Sequence, residues 1–151
     1  MQRREFCGSS ALALLATALP ASASSAVSPM KTRPINPTGY NYAEAREVSG
    51  IDRLLFVSGQ VPADANDQVP ADYRDQYRLA WFNVERQLKA AGMSFDNLVK
   101  FTIFLSDRSL IAKSAGLRKE ILGDREPAMT IIIAGIYDES WLLEIEAIAA
   151  A

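Results

Sequence analysis

The sequence predicts a two-layer α+β domain, one sheet with two helices on one of its faces. Three observations predict it. Apolar periodicity switches along the chain in the order strand, strand, helix, strand, helix, strand, strand. Residues 72–91 carry an apolar stripe at spacings of three and four. Residues 98–105 and 131–136 are apolar on both faces, so the sheet face away from the helices asks for cover by another subunit.

The elements follow in order. Residues 27–39 are rich in Ser, Pro, Thr and Gly and read as a flexible lead-in to a domain spanning 40–151. Tyr42–Val48 reads as a first strand, and Ser49-Gly50-Ile51-Asp52 turns the chain into a second over 53–59. In the helix over 72–91, Tyr73, Tyr77, Ala80, Trp81, Val84, Leu88 and Ala91 form the stripe. Asp72 suits its N-cap and Gly92 its stop, and Glu85 and Lys89 pair one turn apart outside. Leu98–Leu105 is rich in β-branched and aromatic residues and reads as a strand. Ser106-Asp107 open a second helix that ends at Gly123. Residues 128–134 and 141–149 read as the last two strands. On the final one Glu144 and Glu146 share a face, and Leu143, Ile145 and Ala147 share the other.

Composition excludes several kinds of chemistry. The 151 residues carry 16 basic and 18 acidic side chains, so nothing in the charge balance suits nucleic acid or an anionic membrane surface. No histidine is present, which removes the commonest general base and metal ligand. Cys7 is the one cysteine, so neither an internal disulfide nor a cysteine-based zinc site can form.

The first 26 residues read as an export signal. Arg3-Arg4 precede the apolar run Ala11–Leu19, and Ala21-Ser22-Ala23 gives a cleavage pattern. The paired arginines resemble a twin-arginine signal, although Gln2 stands directly before Arg3 where that motif has a different polar residue. The apolar run is shorter than the roughly 20 residues of a membrane span. The expected location is periplasmic or secreted, with no membrane attachment after cleavage.

Residues 54–62, Leu-Leu-Phe-Val-Ser-Gly-Gln-Val-Pro, hold the main chemical signal. A buried strand runs into a small polar corner, where Gly59 allows a turn or a close approach and Ser58 and Gln60 supply a hydroxyl and an amide. A plain tight turn and one wall of a binding site both fit this pattern.

Five ordered blocks decide what the domain resembles: Leu55–Gln60, Ala91-Gly92, Leu98-Val99-Lys100, Pro127-Ala128 and Glu144–Ala149. Together they resemble the Rid family, also called the YjgF/UK114 family, over residues 40–150. The resemblance implies a chorismate-mutase-like fold with a mixed sheet, a homotrimer, and small-molecule sites between subunits. It implies hydrolysis of reactive imines and enamines to ammonia and a 2-oxo acid, without a cofactor. By the same resemblance Glu144 positions water or relays a proton, and Tyr42, Ser58 and Gly59 complete the pocket. Ser114 stands where the family often has an asparagine, and Thr130 lines the site beside residue 129.

One departure matters. The family places an arginine directly after Pro-Ala, where its planar fork holds a substrate carboxylate, and this chain has Met129. A thioether packs against apolar groups and cannot pair with an anion. Arg125 and Arg46 are the candidates to replace the missing charge. Glu144 itself has two readings, an acid–base group in an apolar cleft or one of two acids on a solvated strand face. Ser58 has no histidine to activate it as a nucleophile. Three functions remain open: a Rid-type hydrolase of an imine or enamine, a non-catalytic trimer binding an apolar ligand beside Met129, or a chaperone-like protein. Net negative charge and the absence of histidine count against the RNA cleavage described for some relatives.

Overall fold

The computed structural model describes residues 29–151. The export signal and Cys7 lie outside the described residues. Six strands form one sheet: β1 (Lys31–Pro37), β2 (Ala43–Ser49), β3 (Leu54–Gln60), β4 (Leu98–Leu105), β5 (Ala128–Ile133) and β6 (Leu143–Ala150). Two helices pack on it, α1 (Tyr73–Ala90) and α2 (Leu110–Leu122), with a short 3₁₀ turn at Phe95–Asn97. Strand order is β1-β2-β5-β4-β6-β3. β5 runs parallel to both β2 and β4, and the other pairs are antiparallel, so the sheet is mixed.

The lead-in is corrected first. Residues 31–37 are a strand on the sheet edge, paired with β2 from Lys31↔Ser49 to Pro37↔Ala43. Pro34 and Pro37 disguised it in the sequence. An edge strand leaves half of its N–H groups unpaired, so proline costs little there. The domain therefore begins ahead of residue 40.

α1 forms where its stripe predicts. The Asp72 carboxylate accepts from Arg74 N at 2.8 Å, and Gly92 ends the helix at φ +70°. Tyr73, Tyr77, Ala80, Trp81, Val84 and Leu88 are all buried. Trp81 meets Phe101 and Phe95 edge-on, at 5.1 and 5.7 Å between ring centroids, tying α1 to β4. α2 begins three residues later than the sequence suggests. The Asp107 side chain accepts from Ser109 N at 2.7 Å and holds a turn ahead of the helix.

Register assigns the two faces. Phe101, Ile103 and Leu105 pair with Ala147, Ile145 and Leu143, and all six are buried beneath the helices. Thr102 and Phe104 pair with Glu146 and Glu144 on the opposite face. That face also carries Phe56, 70% exposed, Leu54, 54% exposed, and Ile132, 42% exposed. Large apolar side chains at these exposures mark a sheet face that the chain itself leaves uncovered.

Candidate functional site

The site grows from an irregularity in β3. Val57 pairs with Ala147, but Gln60 pairs with Ile145, so three steps on β3 oppose two on β6. The extra residue is a β-bulge at Ser58-Gly59, which bends the strand and re-aims its corner. Gln60 braces it, donating from Nε2 to Ser58 O at 3.0 Å and accepting from Gln87 Nε2 on α1 at 3.2 Å.

The bulge brings the Gly59 backbone under the Glu144 carboxylate. A Cβ at Gly59 would lie 1.5 Å from Glu144 Oε1, so only glycine admits the carboxylate there. Gly59, Phe104, Gly135, Ile136, Glu144 and Glu146 line most of a cavity of about 240 Å³. Its titratable side chains are the two glutamates. Among the described residues neither one forms an ion pair. Among the described residues no three metal-ligating side chains converge. Half-buried Glu144, held over backbone beside an aromatic ring, can take a proton from water and return it.

The remaining expected site residues lie elsewhere on the chain. Met129 pairs with Phe101, which puts it on the helix face, packed against the core. Glu144, paired with Phe104, is on the open face, so one chain does not unite the two. Thr130 pairs with Thr102 and shares the open face. Ser58 faces a separate groove between β3 and the end of α1. Ser114 is a correction. It is fully buried and bonded to Tyr73 Oη at 2.6 Å and Leu110 O at 2.8 Å, so it ties α2 to α1 and does not face a ligand.

Tyr42 is half-buried just ahead of β2, with the Arg118 guanidinium 5.8 Å from its ring centroid. Arg118 is 4% exposed and among the described residues has no acidic partner. Its Nε and Nη2 donate to Tyr40 O at 3.2 and 2.8 Å, fixing the backbone on which Tyr42 sits. No sequence signal marked Arg118, because its contacts span 78 positions. Glu146 was legible through its alternation with Glu144.

Both candidates to replace the missing arginine are engaged. Arg125 Nε donates to Asp96 Oδ1 at 2.7 Å and its Nη1 to Leu122 O at 3.0 Å. Arg46 donates to Glu126 O at 3.0 Å and Thr32 Oγ1 at 2.9 Å. Burial lowers its pKa, partly offset by the nearby Glu126 carboxylate.

The fold agrees with comparisons to known proteins. The family model described as Endoribonuclease L-PSP matches residues 32–151. The chain belongs to the Rid (YjgF) family. It is 33% identical over 119 residues to a RutC family protein of Pyrococcus horikoshii, covering 78% of this chain and 89% of that one. It is 31% identical over 101 residues to the 2-iminobutanoate/2-iminopropanoate deaminase of Bos taurus, covering 66% of this chain and 74% of that one. The Rid-family protein YyfB of Yersinia pestis superposes with a TM-score of 0.70 at 25% identity, over 80% of this chain and 98% of that one. Among the described residues of this Rid protein no helix is long and apolar enough to cross a membrane.

Proposed function

We propose that this Rid protein hydrolyses the C=N bond of a small imine, or of the enamine in equilibrium with it, and releases ammonia. The observation that carries the reading is the Glu144 carboxylate seated over Gly59 at the mouth of a cavity with no basic side chain in its lining. A carboxylate in that setting is a general base for water, with no nucleophile or cofactor required. The name of the bovine relative, a deaminase of two imino acids, supports the reaction class.

The site is completed by neighbouring copies in a homotrimer, with ligand between subunits. Two facts support this: Phe56 and Ile132 leave the open face apolar and uncovered, and Tyr42 and Met129 sit apart from Glu144 on one chain. Light scattering on the purified protein gives three chains per particle, and a monomer sinks the shared site. Residues 1–26 serve as the export signal, and the intact N-terminus on exported protein, read by mass spectrometry, rules that out.

The activity test is ammonia release from imines generated in place by an oxidase, compared with the spontaneous rate. Glu144→Gln lowers the accelerated rate by about 10²–10⁴, the usual scale of general acid–base catalysis. A second reading, a non-catalytic trimer that binds an apolar small molecule, is favoured by Met129 in place of the arginine. Absence of acceleration with every imine, together with a tightly bound compound in native mass spectrometry, decides for it.

A further inference from the structure

The cavity under Glu144 has an unusual charge character. From Glu126 to Ala151 the chain has five acidic residues and no lysine or arginine. This segment supplies Gly135, Ile136, Glu144 and Glu146 to the cavity. A neighbouring cavity of about 480 Å³ shares residues 134–136 in its lining and adds Asp138, Glu139 and Trp141. The Tyr137 ring stands 6.1 Å from that of Trp141, and is 94% exposed. One stretch of chain thus lines two neighbouring cavities with four acidic residues and Trp141, and no lysine or arginine is among the lining residues.

Carboxylates and aromatic faces favour a positive ligand, and together they repel a second carboxylate. No lysine or arginine lines either cavity to reverse this, and Arg46 and Arg125 are held by other groups.

We propose that the substrate is a cationic iminium without a carboxylate, the product of oxidising an amine and not an amino acid. This rests on the hydrolase reading above and names the substrate of that same site. The reaction balances with water alone. Water oxygen bonds to the imine carbon, its proton passes to Glu144, and the C=N electron pair moves to nitrogen. Glu144 then returns the proton to nitrogen and the C–N bond breaks. The carbinolamine hydroxyl gives its proton to the departing ammonia, leaving a neutral aldehyde or ketone and ammonium. Glu146 supplies field for the cation and does not touch the reacting atoms. The supplying reaction is therefore an amine oxidation or dehydrogenation.

The test uses the full chain and two imines made in place: one from benzylamine with an amine oxidase, one from alanine with an amino acid oxidase. The expected kcat/KM is at least tenfold higher for the benzylamine-derived imine, and falls as salt rises. Glu146→Gln raises KM for it about tenfold with kcat within about twofold. A preference for the alanine-derived imine, or a KM indifferent to both salt and Glu146→Gln, overturns the substrate class and leaves the hydrolase reading standing. Acceleration of neither imine overturns the hydrolase reading. Calorimetry with benzamidinium, a planar cation that resembles an iminium, then reads charge preference separately. Its binding with exclusion of benzoate upholds the cationic site, and binding of benzoate alone overturns it.

Discussion

Gly59 and Glu144 are one structural unit: the carboxylate of the second occupies the volume that any side chain on the first would fill. A bulge on β3 and the final strand β6 create this contact, which links backbone irregularity directly to the placement of the proposed base. Gly59→Ala drives Glu144 off its seat, since a carboxylate at the end of a flexible side chain yields more easily than backbone. The expected result is a fall in kcat of about 10²-fold with stability changed by less than about 1 kcal/mol. Paired kinetics and thermal unfolding check it. Retained activity removes Glu144 placement from the mechanism.

Met129→Arg restores a guanidinium where the family has one. A charge-assisted hydrogen bond contributes about 1.5–3 kcal/mol, which corresponds to roughly ten- to hundredfold in KM for an imino acid. The variant therefore shifts selectivity toward the alanine-derived imine. Because Met129 packs against the core, the longer polar side chain also lowers stability, by about 1 kcal/mol. The ratio of kcat/KM for the two imines is the measurement, and an unchanged ratio separates residue 129 from substrate recognition.

Tyr73 gives a pH dependence. Burial pushes its phenol up to about 12, with the Ser114 hydrogen bond acting in the opposite direction. An unfolded tyrosine ionises near pH 10. The folded state therefore favours the protonated phenol. Its contribution is complete below pH 10 and is lost as pH rises toward about 12. Burial raises Tyr77 in the same direction. Tyr73→Phe costs about 1 kcal/mol at neutral pH, through the lost bond to Ser114, and makes the alkaline loss of stability shallower. Urea unfolding between pH 7 and 12 reads both effects.

Asp72→Ala removes the N-cap bond to Arg74 N and costs about 1 kcal/mol. Its effect belongs to the helix alone. Chemical denaturation shows the loss, while kcat stays unchanged because Asp72 is not among the residues lining the Glu144 cavity.

Much of this was legible in the sequence because the signals are local. Tyr73, Trp81 and Leu88 recur at helical spacing and predicted α1 with its buried face; Asp72 and Gly92 marked its ends. The apolar segments 98–105 and 128–134 were legible as strands, β4 and β5. The five ordered blocks predicted the family. β1 was missed because its prolines signal a break unless the strand is known to lie on an edge.

Tertiary structure decided which of these residues meet. Glu144 and Gly59 are 85 positions apart, and only the β3–β6 register with its bulge puts one over the other. Residue 129 could be read as methionine but not as facing the helices, and Ser114 could be read as polar but not as spent on Tyr73. Sequence by itself determined periodicity, composition and therefore the class of fold, because burial acts on each element's own pattern. The site depends on pairing register between distant strands, and register follows from the packed core as a whole.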